Sequence, residues 1–396
     1  MCRPIHIDAL ASYWHRLCDP ALDENLLWLR VGSTSEKLLY LESGWGQGDI
    51  LELPLHVGII ILHPLRLEIL AYLDRLLCKP VETSLQNSLT TASPERKAHL
   101  STVINLGQKM ADFNLEKKYQ EQEETFFDDG REIELLHFIY SNPDIETIRN
   151  SPTKVLAAID NFARTKKYLM NVGEDKGRIV ADLIAEVKPE VMVELGGYIG
   201  YSCVLFGDAV RKAGGKRYFS LERNPEFAAV IASLVDLAGL SDIVKVIVGS
   251  SDVSIKRLHA SGDLKHIDLM FLDHYKPAYT TDLKLCEELG LITPSTVLAA
   301  DNVIAPGNPP YLEYVRSSVE QKKRATKFGG TVNGVDSRFA DKTANQYLKR
   351  EGKAQLDETR VGNPLLIYES KLVNSFEPSG VPDGIEITRC VGVETS

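Results

Sequence analysis

The fold is best predicted from one stretch, Val191-Met192-Val193-Glu194-Leu195-Gly196-Gly197-Tyr198-Ile199-Gly200. A short apolar run ends in an acid and passes into a glycine-rich turn, which indicates a buried parallel strand followed by a helix. Glycines there let the backbone approach a ligand, and the helix N-terminus offers free N–H groups. The spacing is Gly-Gly-x-x-Gly, not the Gly-x-Gly-x-x-Gly of dinucleotide-binding proteins, so this turn alone does not identify the ligand.

Three further apolar runs also end in an acid, and these acids are Glu222, Asp273 and Asp301. The spacing of the runs, roughly 25 residues, is typical of strand–helix units in a parallel sheet. The predicted strands are 191–195, 217–221, 244–248, 267–272 and 296–300. In an open α/β sheet the carboxyl ends of the strands form the ligand crevice. We therefore expect the acids to line one edge, where cations or ligand hydroxyls satisfy them.

The rest of the chain is divided by composition. Residues 365–368 and 385–390 are predicted to be two final strands, a hairpin that pairs antiparallel at the sheet edge. The predicted regions are an irregular N-terminal extension at 1–80, a polar linker and helix at 81–130, and an α/β domain at 131–396 with a mobile insertion at about 322–363.

Bulk properties exclude several classes of protein. With 44% hydrophobic and 25% charged residues, the chain has the composition of an ordinary soluble protein. Its formal net charge of −10 argues against a general nucleic-acid binder. Six scattered cysteines without a Cys-x-x-Cys pair predict free thiols in a reducing, cytoplasmic setting. The most apolar stretch, 51–77, is interrupted by charges and prolines, so no transmembrane segment is predicted. We also expect the protein to be a monomer.

The strongest chemical signal combines Asp273-His274-Tyr275-Lys276 with Asp301-Asn302. Two carboxylates and an amide at adjacent strand ends offer hard oxygen ligands, which suit Mg²⁺. Lys276 follows the first ligand by three residues, and a nearby divalent cation would favour its neutral, basic form. Glu222 can accept both hydroxyls of a ribose, a feature that NAD enzymes and adenosylmethionine enzymes share. These residues predict a nucleoside site beside a cation.

The chain resembles catechol O-methyltransferases in four segments that occur in the same order and at similar spacings. They are residues 170–177, 194–202, 271–276 and 300–307. The resemblance covers about 134–393. It implies a Rossmann-like class I methyltransferase with a seven-stranded, mostly parallel sheet, helices on both faces and an antiparallel C-terminal hairpin. It also implies S-adenosyl-L-methionine and Mg²⁺ as cofactors and O-methylation of a small catechol or related phenol.

The resemblance also implies roles for individual residues. Asp273, Asp301 and Asn302 would be the metal ligands, and Lys276 the base, with Glu386 on a substrate hydroxyl. The residues that would contact the cofactor are Met170, Val172, Glu194, Gly196, Tyr198, Ser202, Glu222, Ser251, Asp273 and His274. Those that would contact the substrate are Tyr168, Tyr275, Lys276, Asn302, Pro306 and Glu386.

Some positions depart from the family, and alternatives remain open. Tyr168 and Tyr275 stand at the apolar lip where the family usually has tryptophan. One alternative is an NAD-dependent oxidoreductase on a related sheet, which shares the glycine turn and Glu222 but does not explain Asp301-Asn302. The others are a non-catalytic binding protein that kept the fold, and a methyltransferase for larger phenolic esters.

Overall fold

The structure, a computed structural model, describes residues 38–39, 53–54, 113–121, 129–327, 356–357 and 359–395. The chain divides into two compact units, Met1–Ala111 and Asp112–Ser396. In the first unit, the described residues form two short antiparallel strands, β1 (Leu38–Leu39) and β2 (Leu53–Pro54). Most of the predicted N-terminal extension, and the linker up to residue 112, therefore lie outside the described residues.

The second unit alternates helices and strands after a short 3₁₀ turn at Leu115–Lys117. Its helices are α1 (Arg131–Tyr140), α2 (Ile145–Ile148), α3 (Pro152–Thr165), α4 (Gly173–Val187), α5 (Tyr201–Lys212), α6 (Pro225–Leu237), α7 (Ser251–Ala260), α8 (Ala278–Glu288), α9 (Pro309–Arg316) and α10 (Val319–Lys327). Its strands are β3 (Val191–Leu195), β4 (Arg217–Glu222), β5 (Val244–Val248), β6 (Leu269–Leu272), β7 (Val297–Ala300), β8 (Leu366–Phe376) and β9 (Pro382–Val393).

The seven strands form one sheet in the order β5-β4-β3-β6-β7-β9-β8. The pairs among β3 to β7 are parallel, whereas β9 pairs antiparallel with both β7 and β8. The predicted fold class is confirmed, including the C-terminal hairpin. The hairpin strands are longer than predicted. The prediction used short apolar runs, whereas β8 and β9 continue through residues that alternate between polar and apolar.

Helices cover both faces of the sheet. Successive strand residues point to opposite sides, and both sides are apolar here, so each face needs a covering layer. In β3, Met192 packs with buried residues of α3 to α6, whereas Val193 packs with those of α7 to α9. Both clusters are almost wholly apolar. The sheet is thus held from both sides, and only its strand ends and its loops are left for chemistry.

Two segments differ from the expectation of a polar connector and a mobile insertion. Residues 113–121 contain the 3₁₀ turn, and Tyr119 is buried with its hydroxyl 2.5 Å from Asp160 Oδ1. The start of the predicted insertion is helical, since α10 reaches Lys327. Burial of Val319 and Lys322 on one side of α10 explains this order. Residues 328–355 and 358 lie outside the described part of the chain. No helix in the described ranges is long and apolar enough to cross a membrane.

Candidate active site

Asp273 and Asp301 leave the sheet side by side. The Asp273 amide donates to the Leu195 carbonyl and the Asp301 amide to the Leu272 carbonyl, each at 2.9 Å, so the hydrogen-bond ladder continues one residue beyond the strands. Because β6 lies between β3 and β7, these bonds fix both acids at the carboxyl edge of the sheet. The edge predicted from the strand ends is therefore where the structure brings these two acids.

The glycine turn between β3 and α5 closes tightly against this edge. Gly196 has a φ of 89°, and a Cβ atom built on it would lie 2.5 Å from the Asp273 carbonyl oxygen, so no other residue fits. Glu222 Oε2 accepts hydrogen bonds from the amides of Gly197 at 3.2 Å and Tyr198 at 3.0 Å. Burial raises the pKa of Glu222, and these amides oppose that shift. Glu222 thus holds the turn and keeps lone pairs for a ligand hydroxyl.

Glu194 has a different environment from the other acids. It lies within β3, is fully buried, and accepts a hydrogen bond from Ser220 Oγ at 2.6 Å, with Cys203 Sγ at 2.9 Å. Burial raises the pKa of Glu194. Its recorded contacts belong to the sheet and α5, so the structure does not bring it to Asp273 and Asp301.

Lys276 lies between the two neighbouring strand ends. Its Nζ atom donates to Asp273 Oδ1 and to the Tyr279 hydroxyl, both at 2.9 Å, and that hydroxyl is 3.2 Å from the Asp301 carbonyl. Lys276 is only 8% exposed. Asn308 Nδ2 donates to the Lys276 carbonyl at 2.8 Å, which fixes the backbone. The predicted base and the first predicted metal ligand are therefore in direct contact.

Ser251 and His274, both predicted cofactor residues, meet at one carboxylate. Ser251 Oγ lies 2.5 Å and His274 Nε2 lies 2.9 Å from Asp282 Oδ2. The His274 ring stacks on Tyr279 with centroids 4.8 Å apart. Its Nδ1 atom is buried and has no hydrogen-bond partner among the described residues. A bound ligand could satisfy this nitrogen.

Three carboxylates surround the buried Lys176 ammonium. The distances from Nζ are 2.6 Å to Asp301 Oδ1, 2.7 Å to Glu377 Oε1 and 2.8 Å to Asp383 Oδ2. Lys176 is fully buried in α4, whereas Glu377 and Asp383 flank the β8–β9 turn. We call these four residues the Lys176 cluster. It joins three elements that are far apart in the sequence.

Asn302 connects this cluster to the predicted metal site. Its Nδ2 atom lies 2.5 Å from Glu377 Oε1 and 3.2 Å from Asp383 Oδ2, and its backbone amide donates to Asp301 Oδ1 at 2.7 Å. Because the side chain donates through Nδ2, its Oδ1 atom is the one available to a cation. The asparagine has a φ of 56°, a left-handed conformation that this residue tolerates.

Burial and the Lys176 ammonium shift the pKa values of the cluster acids in opposite directions. Burial raises the pKa of Asp301 and of Glu377, although Lys176 opposes the shift in both. Burial alone would raise the pKa of Asp383, but Lys176 and its hydrogen bonds lower it overall. The Lys176 ammonium is thus the one positive charge that directly contacts these three acids in the described chain. Hard oxygen donors in such a setting fit a divalent cation.

The predicted lip and cofactor residues are placed around this edge to different degrees. Tyr168 is only 5% exposed and packs against Tyr119, with ring centroids 6.4 Å apart. Tyr275 is half-buried and Pro306 is exposed after a cis Ala305–Pro306 bond. Val172 and Ser202 are buried, and Met170, Gly196 and Tyr198 are half-buried. The Tyr198 hydroxyl donates to Glu132 at 2.8 Å.

Glu386 is engaged away from the predicted metal ligands. It is fully buried in β9, opposite Ala300 of β7, and its carboxylate accepts two hydrogen bonds from Arg316 at 2.7 and 2.8 Å. No contact recorded for Glu386 in the described chain joins it to Asp273, Asp301 or Asn302. Glu377 has the contact with Asn302 instead.

Sequence reasoning missed Lys176, Glu377 and Asp383. One signal was present for Lys176, because it falls on the same helical face as Val180, Leu183 and Ile184, which are buried. A lysine on an apolar face needs a buried partner. For Glu377 and Asp383 the partners depend on how the hairpin turn folds back over the sheet edge, which no local pattern reports.

Comparisons with known proteins identify a methyltransferase domain. A family model described as "Methyltransferase domain" matches residues 193–303. The catechol O-methyltransferase of Bos taurus is 43% identical over 171 residues, which are 43% of this chain and 62% of that protein. The catechol O-methyltransferase of Sus scrofa is 44% identical over 151 residues, 38% of this chain and 80% of that protein. The chain thus spans about three-fifths of the length of the bovine relative.

Among solved structures, a methyltransferase of Podospora anserina, determined with bound SAH, is 18% identical with a TM-score of 0.40, covering 68% of this chain and 99% of that one. That likeness is too distant to carry any argument about the site. The identity to the porcine protein, over four-fifths of its length, shows the family. The chain belongs to the catechol O-methyltransferase family.

Proposed function

We propose that this protein transfers a methyl group from S-adenosyl-L-methionine to a hydroxyl of a catechol, with Mg²⁺ held by Asp273, Asp301 and Asn302. One observation carries the proposal. The predicted base Lys276 is 2.9 Å from Asp273, and Tyr279 links it to the carbonyl of Asp301, so base and ligands form one network at the crevice edge. The family relation supplies the reaction class, and the network supplies groups suited to it.

The donor atoms fit the metal. Mg²⁺ is bound by one or two carboxylates and keeps positions for other oxygen ligands. Asp273 and Asp301 come from adjacent strand ends, and the Asn302 amide presents Oδ1. A divalent cation here would favour the ionised form of a neighbouring substrate hydroxyl and the neutral form of Lys276.

The groups along the glycine turn fit the methyl donor. Glu222 is positioned for ribose hydroxyls, since backbone amides already fix its orientation. His274 Nδ1 is a buried atom without a hydrogen-bond partner in the described chain, and it lies next to Asp273. The free N–H groups at the start of α5 and the close approach allowed by Gly196 add further contacts. These residues bind and orient the donor over the metal side of the crevice.

In the reaction, Lys276 would remove the proton of the substrate hydroxyl. Bound S-adenosyl-L-methionine would supply the methyl group to that oxygen, and its sulfonium would leave as the neutral thioether S-adenosylhomocysteine. Opposite charges disappear in the transition state, so contact at short range and exclusion of water favour the transfer. Tyr279 and Asp273 hold the Lys276 amine in place. Tyr168, Tyr275 and Pro306 form the apolar side on which the aromatic ring would rest.

We assign the second substrate hydroxyl to Glu377 rather than to Glu386. Glu377 is 14% exposed at its side chain and contacts Asn302, whereas the Glu386 carboxylate is occupied by Arg316. Replacing each by glutamine separates the two assignments. The Glu377→Gln variant should show the larger rise in KM for a catechol. A larger rise in Glu386→Gln would restore the original prediction.

The proposal is tested with a panel of vicinal diols and a labelled methyl donor, with and without Mg²⁺. Methyl transfer that depends on Mg²⁺ and on adjacent hydroxyls supports it. Asp301→Ala should abolish metal-dependent transfer, and Lys276→Ala should lower kcat by about 10²- to 10⁴-fold with donor affinity nearly unchanged. Transfer by Asp301→Ala in the presence of a chelator would refute the metal assignment.

The two alternative functions, an oxidoreductase and a non-catalytic binding protein, predict different results in ligand-binding experiments. An oxidoreductase would bind NADH in a calorimetric titration, and a non-catalytic protein would bind the methyl donor without transferring its methyl group. Preference for a large phenolic ester over a simple catechol would change the substrate but keep the chemistry. The cytoplasmic location and the monomeric state stay predictions, which cell fractionation and sedimentation can examine.

A further inference from the structure

We propose that Lys176 is a positioning residue whose ammonium takes the place of a second metal ion and holds Asp301 and Glu377 at their working positions. The inference rests on the proposed function only in naming Asp301 as a metal ligand and Glu377 as a substrate contact. The geometry of the cluster is independent of it.

The first step is the fit of the ammonium. Ligand oxygens of Asp301, Glu377 and Asp383 lie within 4.8 Å of one another, a spacing that suits a single cation. The Lys176 nitrogen lies 2.6 to 2.8 Å from all three. An ammonium has three N–H donors, so each carboxylate receives one. The side chain is fully buried, and its contacts with the three carboxylates match its three N–H donors.

The second step is connectivity. Lys176 belongs to α4, Asp301 follows β7, and Glu377 and Asp383 belong to the β8–β9 hairpin. The hairpin turn is also attached through Asp383 Oδ1, which accepts the amides of Ile304 at 3.1 Å and Ala305 at 3.0 Å. The ammonium is therefore the one described side chain that contacts all three acids as a cation. It keeps Glu377 against Asn302 whether or not a metal is bound.

The third step is the consequence of removing it. Lys176→Met leaves three buried carboxylates within 4.8 Å of one another and nothing positive between them. Buried acids so close to one another need a cation. A divalent ion is the right size and has the right preference for oxygen ligands. The variant should acquire a metal site that the natural protein fills with its own side chain.

The experiment measures Mn²⁺ stoichiometry by calorimetry and by the electron paramagnetic resonance of bound Mn²⁺. We expect Lys176→Met to bind one more equivalent than the natural protein. At 100 times the dissociation constant, the added ion should raise the Tm of the variant by about 5 to 10 °C beyond any rise in the natural protein. Equal stoichiometry, with equal thermal response, would overturn the proposal.

Two further variants are controls. Lys322→Met removes another buried lysine and should gain no equivalent of Mn²⁺. In Lys176→Met/Asp383→Asn one carboxylate is neutralised, while its Oδ1 can still accept the two amides, so the extra equivalent should be lost or bind at least tenfold more weakly. If Lys176→Met does not fold alone, its refolding yield is compared in Mn²⁺ and in chelator, and an equal yield counts against the proposal.

Failure of the proposed function gives a different result. If the natural protein binds no Mn²⁺, the metal assignment to Asp273, Asp301 and Asn302 is wrong. The Lys176→Met variant should nevertheless bind one equivalent of Mn²⁺. If the natural protein binds one equivalent and the variant also binds one, only the role of Lys176 is wrong. Lys176→Arg should restore the stoichiometry of the natural protein, because its guanidinium also supplies positive charge to the carboxylates.

Discussion

Lys176 and Lys322 are both buried lysines, but their charges are compensated in different ways. Lys176 contacts three carboxylates, and although burial alone would lower its pKa, these acids raise it. Lys322 lies 4.4 Å from the Tyr368 ring centroid and 5.6 Å from that of Tyr314, and donates to the Leu366 carbonyl at 2.6 Å. Burial lowers the pKa of Lys322.

The difference separates a proposed functional site from a structural contact. We call that contact the anchor; it consists of Lys322, Tyr314, Tyr368 and the Leu366 carbonyl. Full negative charges around Lys176 lie at the crevice edge, where Asp301 and Glu377 are proposed to act. Aromatic rings and one carbonyl around Lys322 attach α10 to β8. Ring faces stabilise a cation by about 0.5 to 2 kcal/mol, which is less than the interaction that three close carboxylates provide. Lys176 is therefore held by three carboxylates, whereas Lys322 is held mainly by two rings and a carbonyl, with the buried Glu287 nearby.

The largest expected effect comes from removing Lys176. We expect Lys176→Met to lower the free energy of unfolding by about 3 to 5 kcal/mol without added metal, because unpaired buried acids remain. Urea unfolding in chelator measures this loss. Lys322→Met should lose clearly less, and equal losses in the two variants would erase the contrast between the clusters.

A smaller effect is expected from the acid beside Lys322. Glu287 Oε1 accepts a hydrogen bond from the Tyr368 hydroxyl at 2.5 Å, and its Oε2 accepts one from Tyr314 at 2.6 Å. Tyr368→Phe removes one of these, with an expected loss of about 1.5 to 3 kcal/mol because the acceptor is a buried acid. Tyr140→Phe, which removes an exposed bond to the Ser233 carbonyl, should lose far less in the same urea titration.

Methyl transfer should follow the same division. Tyr368→Phe and Lys322→Met alter the anchor, so kcat for a catechol should stay within about twofold of the natural value at a temperature where the variants are folded. Glu377→Gln should raise KM by about tenfold, as expected for loss of a hydrogen bond from a substrate hydroxyl. If kcat fell more than tenfold in both anchor variants, a larger factor than the rise in KM expected for Glu377→Gln, the two regions would be coupled.

The smallest effect is a pH dependence at Lys322. Its pKa in the folded protein lies below its ordinary value of 10.5, so between these two values the unfolded chain binds more protons. Stability contributed by this residue therefore rises as pH increases toward 10.5. Lys322→Met should lack this rise, and the stability of the natural protein relative to the variant should increase between pH 8 and 10, with each measured by urea midpoint. A constant difference would contradict the lowered pKa.

Much of the fold could be predicted because short apolar runs ending in acids report buried parallel strands directly. Asp273, Lys276, Asp301 and Asn302 follow from the same signal, since neighbouring parallel strands bring their ends together. Glu377 could not be found this way, because its position depends on a turn folding over the edge. The role of Glu386 stays a prediction, and its contact with Arg316 could not be predicted because it depends on how distant segments pack.

The burial of the two lysines could be predicted from the sequence to different degrees. Lys322 lies in a polar, charged run that resembles a solvated insertion, and only the placement of Tyr314 and Tyr368 makes it a buried residue. Lys176 stands on an apolar helical face, so its burial could be inferred, but not the identity of its partners. Pairing between distant segments, not local propensity, decides both environments.

The partners of Lys176 are separated from it by 125, 201 and 207 positions along the chain. During synthesis its ammonium therefore emerges from the ribosome long before Glu377 and Asp383 exist. Until the final hairpin is made, α4 carries a lysine with no countercharge from that hairpin and must leave it in water. Completion of the Lys176 cluster thus waits for β8 and β9.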